Sequence, residues 1–237
     1  MPKKPRPWTV LPHGALEKLE NNLWCVEGAL PGFPGAKRRI AIVRRGDGSL
    51  LFYGALPVDD AMLAEIATFG TPRYLVVPHG WHRIDAHPFR EKLGLEVFCP
   101  AGARERVSQI TRVDGTLDEL PPDPSIRFEA LDGSRISEQA LFISSGPRVS
   151  YFACDVVQWY PQRPPLFHRM LGFSGGPRVV PFYRFRCIAD RAALCGSLER
   201  IAETPGLRRV VPSHGAIIDA DAPMVMRRVA SDLRGRG

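Results

Sequence analysis

The sequence predicts an α+β fold, and three observations support this class. Near the N-terminus, apolar segments flank the turn residues Gly46-Asp47-Gly48, as they do in a β-hairpin. Helical and strand patterns then alternate along the first half of the chain. Three apolar segments also end at a histidine or an aspartate, and strand ends are where a rigid scaffold often carries functional groups on loops.

The elements of the first half follow from local patterns of apolar residues, caps and turns. Apolar, β-branched segments predict strands, and the turn around Asp47 joins two of them. One helix is predicted to begin near Asp59, which can cap its N-terminus, and to end at Gly70. A shorter helix is predicted to end at Gly94. The predicted strands are 22–28, 39–45, 49–53, 74–77 and 95–99, and the predicted helices are 59–70 and 88–93.

The second half contains the same kinds of element around one long irregular segment. Residues 158–186 are rich in Pro, Gly, Arg and aromatic residues without a regular period, which predicts a long surface excursion. We expect a single domain over residues 1–237, in which residues 1–19 are an N-terminal extension. The predicted strands are 125–131, 140–144, 149–153 and 208–211, and the predicted helices are 190–203 and 221–233.

The composition limits the classes of function. The net charge is +7, but only five of the 32 basic residues are lysines and the arginines are dispersed, so we expect no nucleic-acid partner. A mildly positive surface would instead attract small anionic substrates. The five cysteines are scattered without a C-x-x-C pair, which argues against a disulfide framework and favours the cytoplasm. No secretory signal or membrane-length apolar segment is recognised, so we expect no membrane contact.

The first of the three strand ends carries a cluster of potential metal ligands. The apolar segment 74–77 is followed by Pro78, and four such ligands lie within the next nine residues. Half of the six histidines of the chain are found here. Imidazole and carboxylate groups at close spacing are the ligands that Zn²⁺ and similar divalent ions select. The candidate ligands are His79, His82, Asp85 and His87.

Two later strand ends resemble the first. The apolar segment 150–153 leads to Asp155, and the segment 209–212 leads to His214, which precedes a glycine. If the three strand ends meet at one edge of a sheet sandwich, their side chains suit one or two metal ions, with a carboxylate able to bridge them. Cys154 is expected to face the opposite side of its strand and to be a core thiol.

These motifs resemble, in their order, those of the metallo-β-lactamase superfamily. The order is a leading hairpin, a helix, a strand ending in a His/Asp cluster, a middle strand ending at Asp155 and a last strand ending in Pro212-Ser213-His214-Gly215. The resemblance spans residues 20–232. The segments Pro31-Gly32-Phe33-Pro34, Asp47-Gly48 and Ser137-Glu138-Gln139-Ala140-Leu141-Phe142 look closer still to an uncharacterised, divergent branch with incomplete metal-binding motifs. The resemblance implies an αββα sandwich of two mixed β-sheets flanked by helices, with metal ions held at strand ends.

The candidate ligands depart from the superfamily pattern in two places. The superfamily motif is His-x-His-x-Asp-His, whereas each gap between His79 and His87 is longer here. The superfamily also uses a middle histidine, but no histidine lies between His87 and His168, where the corresponding region offers only Asp132 and Glu138. Three alternatives remain, namely one metal ion, a carboxylate-rich site suited to Fe or Mn, and no metal at all.

The resemblance implies a metal-dependent hydrolase. A divalent cation, Zn²⁺ in the first instance, would activate a water for attack on an ester, thioester, lactone or phosphoester in a small, anionic substrate. Asp85 is also the candidate catalytic residue, which would orient the water and accept its proton. The missing middle histidine motivates an alternative, a metal-free relic of the fold that acts as a binding or assembly module. The expected metal ligands are His79, His82, Asp85, His87, Asp155 and His214.

Overall fold

A computed structural model describes residues 6–160 and 175–235 of the chain. They form two compact units, the first ending at Ile126 and the second beginning at Arg127. Each unit has a β-sheet of its own together with several helices. The predicted α+β class is therefore confirmed, while the prediction of a single domain stays a prediction.

The first unit is built on a seven-stranded sheet whose strands follow chain order. The first four strands pair antiparallel, and the next three are added in parallel. The predicted hairpin is confirmed, and its turn contains Gly48 at a φ of 82°, which favours glycine. The strands are β1 (Glu17–Glu20), β2 (Leu23–Ala29), β3 (Lys37–Arg44), β4 (Ser49–Tyr53), β5 (Thr71–Val76), β6 (Glu96–Cys99) and β7 (Gly115–Thr116).

The first helix of this unit begins and ends at the predicted caps, whereas the second begins two residues before the predicted start and ends at the predicted glycine. The Asp59 side chain accepts a hydrogen bond from the Met62 N–H at 2.8 Å, and Gly94 ends the second helix in a left-handed conformation. Met62, Ile66 and Phe89 pack into the core of this unit. The helices are α1 (Asp60–Phe69), α2 (Ala86–Leu93) and α3 (Arg104–Ser108), of which α3 was not predicted.

The N-terminal segment packs on the first unit. Trp8 stacks on Phe89 with ring centroids 5.6 Å apart, and Leu16 packs against the same core. Residues 17–19, which were predicted to belong to an extension, are part of β1. The described part of this segment covers apolar side chains, so it contributes to the core of the unit.

A buried arginine after β3 fixes a distant loop. Arg45 donates to the carbonyl oxygens of Pro121-Pro122 at 2.8 and 2.9 Å, and it lies 3.7 Å from the Asp123 carboxylate. Burial on its own would raise the pKa of Asp123. Hydrogen bonds from Ser125 and from the Gly46 N–H outweigh that effect, so the pKa of Asp123 is lowered.

The second unit is built on a four-stranded sheet in the order β13-β10-β9-β8. β10 pairs antiparallel with β9 and parallel with β13. Because β10 and β13 are parallel, their C-terminal ends lie at the same edge of the sheet. The strands are β8 (Ile126–Ala130), β9 (Gln139–Ser145), β10 (Arg148–Phe152) and β13 (Leu207–Val211), as predicted to within two residues at each end.

The described part of the predicted surface excursion contains short regular elements that the sequence pattern does not predict. β11 (Gln158–Tyr160) and β12 (Gly175–Arg178) pair antiparallel, and the helix α4 (Pro181–Arg186) follows them. These elements span three to six residues, which is too short to produce a recognisable period in the sequence. The predictions for 161–174, which include His168, lie outside the described residues.

Two longer helices complete the second unit. Asp190 caps α5 (Arg191–Ala202) by accepting a hydrogen bond from the Ala193 N–H at 3.0 Å. The last helix, α6 (Ala222–Gly235), packs against α5, so both helices are confirmed. Within the described ranges, no helix has the length and apolar character needed to cross a membrane. All five cysteines lie in these ranges, and they are buried without forming a disulfide.

Candidate metal centre

In the first unit, the segment between β5 and α2 buries a histidine beside a second one. His79 is fully buried, and its Nδ1 accepts a hydrogen bond from the Trp81 N–H at 3.3 Å. Its carbonyl oxygen accepts a hydrogen bond from the His82 N–H at 3.1 Å. The two imidazole rings lie 4.6 Å apart, and their potential ligand atoms lie within 4.8 Å of one another. Each Zn–N bond is about 2.0–2.1 Å, so two nitrogens on one zinc ion lie at most about 4.2 Å apart, which is somewhat below this upper limit.

Asp85, the predicted catalytic residue, takes part in a buried ion pair. It stands at the N-terminus of α2, yet its side chain makes no capping hydrogen bond. Its carboxylate is 2% exposed and pairs with Arg38 on β3, which is also buried. Arg6 lies 3.9 Å away on the more exposed side. A carboxylate that is already paired with a buried guanidinium is less available as a metal ligand, so this placement favours a structural role.

His87 lies apart from the two clustered histidines. It is the second residue of α2 and is half-buried. Among the described residues of the first unit, the potential ligand atoms grouped within 4.8 Å are those of His79 and His82. The four predicted ligands of this segment therefore separate into a histidine pair, an acid paired with arginine and a helical histidine.

In the second unit, the parallel strands β10 and β13 bring two predicted ligands together. Asp155 follows β10, and His214 follows β13. The His214 Nε2 lies 3.3 Å from a carboxylate oxygen of Asp155, and both side chains are mostly buried. A carboxylate and an imidazole at this distance can hold a proton between them or bind a cation together.

Backbone hydrogen bonds hold these two strand ends in register. The Ser213 N–H donates to the Cys154 carbonyl oxygen at 3.0 Å, and the Ala216 N–H donates to the Trp159 carbonyl oxygen at 2.7 Å. Gly215, between them, has a φ of 101°, and a Cβ there would overlap the backbone of Trp159. Only glycine fits this position without strain, so Gly215 fixes where His214 lies.

Cys154 differs from its predicted role as a residue on the opposite face of a strand. β10 ends at Phe152, and Cys154 has a positive φ of 22°, so strand alternation no longer applies. Its sulfur lies within 4.8 Å of the Asp155 carboxylate. Burial raises the pKa of the Cys154 thiol well above its usual range, and the Asp155 charge raises it further. Sequence reasoning missed this thiol as a potential ligand, because the end of the strand was not visible in the sequence.

The two acids considered as replacements for the middle histidine have different environments. Asp132 is about half exposed and pairs with Arg200. Glu138 is 1% exposed, and its Oε1 accepts hydrogen bonds from the Asp155 and Val156 N–H groups at 3.0 and 3.1 Å. Burial raises the pKa of Glu138 well above its usual range, and the Asp155 charge adds to this. Glu138 therefore supports the loop that carries Asp155.

Comparisons by sequence give no relative. No protein-family model matches the chain, and no curated protein matches it.

Solved structures, in contrast, match nearly the whole chain. A structure of DIM-1 metallo-β-lactamase exposed to ceftazidime has a TM-score of 0.66 at 14% identity, covering 94% of this chain and 99% of its own. The mono-zinc form of FIM-1 metallo-β-lactamase from Pseudomonas aeruginosa has a TM-score of 0.64 at 12% identity, covering 94% and 96%. A metallo-β-lactamase from Hirschia baltica has a TM-score of 0.62 at 14% identity, covering 92% and 98%. At such identities the likeness is one of fold, and the chain has the metallo-β-lactamase fold.

Proposed function

We propose that the protein is a metal-dependent hydrolase. The proposed ligands are His82 from the first unit, and Asp155 and His214 from the second. His79 and Cys154 are further candidates. The observation that carries the proposal is the Asp155–His214 contact at the C-terminal ends of two parallel strands, in a chain with the metallo-β-lactamase fold.

The chemistry of these donors fits a zinc ion. Imidazole, carboxylate and thiol are the groups that Zn²⁺ takes as ligands, and an imidazole–carboxylate set also suits Fe or Mn. His79 is a weaker candidate ligand than His82, because the Trp81 N–H already donates a hydrogen bond to its Nδ1 and a neutral ring then carries its proton on Nε2. A bound divalent ion would lower the pKa of a coordinated water towards neutrality.

The roles of the remaining groups follow from their contacts. His214 can hold or release a proton at Nε2, where it faces the Asp155 carboxylate. Asp85, with Arg38 beside it, holds the start of α2 in place rather than acting as a base. This assignment replaces the catalytic role that the sequence pattern predicts for Asp85.

The proposed substrate is a small anionic ester, thioester, lactone or phosphoester. Between Asp155 and Asp190 the sequence has no acidic residue but five arginines. A cationic segment next to a proposed ligand favours anionic substrates through the field it creates. The arginines are Arg163, Arg169, Arg178, Arg184 and Arg186.

One observation favours the alternative of a metal-free binding module. The pairing of Asp85 with Arg38 occupies a carboxylate that the sequence pattern offered as a ligand. A chain that had lost its metal would keep such an ion pair for stability alone. The metal content of the protein decides between the two functions.

The test is metal analysis of the purified protein and of four variants. His82→Ala and Asp155→Asn each remove one proposed ligand from a different unit. His13→Ala and Asp132→Asn are the matched controls, since His13 contacts Asp59 and Asp132 pairs with Arg200. We expect about one metal ion per chain in the wild type and both controls, and a loss of most of it in both ligand variants.

The other outcomes are equally informative. Loss in only one ligand variant would mean that one unit binds the metal by itself. A metal-free wild type whose melting temperature ignores added Zn²⁺ would refute the proposal and support the binding module. Turnover of chromogenic ester, thioester, lactone and phosphoester substrates, each with and without a chelator, then identifies the reaction.

A further inference from the structure

Glu138 is a buried acid whose carboxyl group is bonded to the backbone of another segment. It lies at the start of β9, where its carboxyl group is almost fully buried. Its Oε1 accepts hydrogen bonds from two consecutive backbone N–H groups, those of Asp155 and Val156, at 3.0 and 3.1 Å. Two such bonds determine the direction of the peptide planes on both sides of Asp155, and therefore the direction of its side chain.

A helix lies near the same carboxyl group. Burial raises the pKa of the hydroxyl of Tyr183, on α4, well above its usual range, and the charge of Glu138 raises it further. Tyr183 is buried, and its hydroxyl lies 3.5 Å from that of Ser134. Glu138 is therefore bonded to the turn that carries Asp155 and lies close to α4, in the arginine-rich segment.

We propose that Glu138 is a positioning residue that orients Asp155, and through it His214, for metal binding. This inference rests on the proposed function, because it takes Asp155 and His214 as ligands. Glu138 is not itself proposed as a ligand, because its carboxylate lies outside the group of potential ligand atoms that includes Asp155. It supports the ligand loop in the way that residues behind metal ligands commonly do.

Two conservative variants separate the reach of this side chain from its charge. Glu138→Gln keeps the length and an acceptor oxygen, whereas Glu138→Asp keeps the charge but withdraws the oxygen by one methylene. If positioning is the role, Glu138→Gln should bind Zn²⁺ within about threefold of the wild type, and Glu138→Asp should lose about 10- to 100-fold in affinity. Asp132→Ala, a change at a surface acid of the same unit, is the control and should bind as the wild type does.

A second measurement on metal-free protein separates this inference from the proposed function. NMR signals of the His214 ring nitrogens report on its contact with Asp155 without any metal. They should shift in Glu138→Asp and stay in place in Glu138→Gln and Asp132→Ala. If the His214 signals follow this pattern in a protein that binds no metal, the positioning role stands and the hydrolase proposal fails.

Three results would overturn the positioning role. Both variants could behave as the wild type does, in affinity and in the His214 signals. Glu138→Gln could lose affinity while Glu138→Asp keeps it, or both could lose it. The second result would show that the charge matters rather than the reach, and the third would show that the reach alone does not explain the effect.

Discussion

Two strand ends of this chain are similar in sequence but differ in structure. Val-Val-Pro-His-Gly spans residues 76–80 at the end of β5, and Val-Val-Pro-Ser-His-Gly, with one additional serine, spans 210–215 at the end of β13. In the first, the histidine is fully buried beside another imidazole. In the second, the histidine is 13% exposed and contacts a carboxylate from the neighbouring parallel strand. The sequence motif sets the end of a strand, whereas the neighbouring strand decides what the histidine meets.

The acids near the two strand ends differ in the same way. Asp85 is paired with Arg38, and the side chains of both residues are buried. Asp155 contacts His214 and has the N–H groups of its own turn fixed by Glu138. An acid held by arginine contributes to stability, while an acid held beside an imidazole can bind a cation. The first region should therefore affect unfolding most, and the second should affect metal binding most.

The largest effect on stability is expected from breaking the pair in the first region. Arg38→Met keeps much of the side-chain volume but leaves the Asp85 charge buried, which should cost about 3–5 kcal/mol of unfolding free energy. Adding Asp85→Asn to the same chain should restore at least half of this loss. Urea unfolding measures both values.

A surface ion pair of the same unit is the control for this change. Arg73 and Glu96 are each about half exposed, so Arg73→Ala should cost no more than about 1 kcal/mol. If Arg38→Met costs as little as Arg73→Ala, Asp85 is stabilised by something else, and the contrast between the two acids is wrong.

The glycines after the two histidines give the next largest contrast. Gly215→Ala should cost about 3 kcal/mol, because φ is positive and the new Cβ would overlap the Trp159 backbone. Gly80→Ala should cost about 1 kcal/mol, since its φ is not positive and its Cβ would meet the exposed side chain of Arg106, at 2.9 Å from Cδ and 3.1 Å from Cβ. Thermal melts of both variants measure this difference. Equal losses would mean that the two His-Gly sequences are structurally equivalent after all.

A smaller, pH-dependent effect is expected at Asp123, another arginine-paired acid of the first unit. Its pKa is lowered in the folded state, despite its burial, by hydrogen bonds from Ser125 and Gly46. A lowered pKa contributes stability that is present above the unfolded value, near 3.8, and is lost as the pH falls through the folded value. Asp123→Asn should therefore cost about 1–2 kcal/mol at pH 7 and much less at pH 3. Urea unfolding at both pH values tests this, with the exposed Asp118→Asn as a control.

Much of the fold could be predicted because its signals are local. Asp59 was predicted to cap a helix, and it accepts the expected hydrogen bond; Asp190, at the start of another predicted helix, caps α5 in the same way. The end of α2 at Gly94 is also a local signal. The short elements β11, β12 and α4 were missed, because segments of three to six residues carry no measurable period.

The candidate site was harder to predict because its contacts join distant parts of the sequence. Arg38 and Asp85 are 47 residues apart, and nothing near Asp85 indicates that an arginine from β3 will reach it. Asp155 and His214 could be predicted to approach each other only if their strands were assumed to be parallel neighbours. The support from Glu138 depends on the turn after β10, whose shape follows from the positive φ of Cys154.

The smallest effect is expected at His87, although the sequence pattern makes it as good a ligand as its neighbours. His87 lies on α2, outside the pair formed by His79 and His82. His87→Ala should therefore change Zn²⁺ affinity by less than about threefold, whereas His82→Ala should reduce it by about tenfold or more. Competition titrations against a chromogenic chelator compare the two variants directly. Equal losses would return His87 to the ligand set and would mean that the first strand end binds metal through a longer segment than its histidine pair.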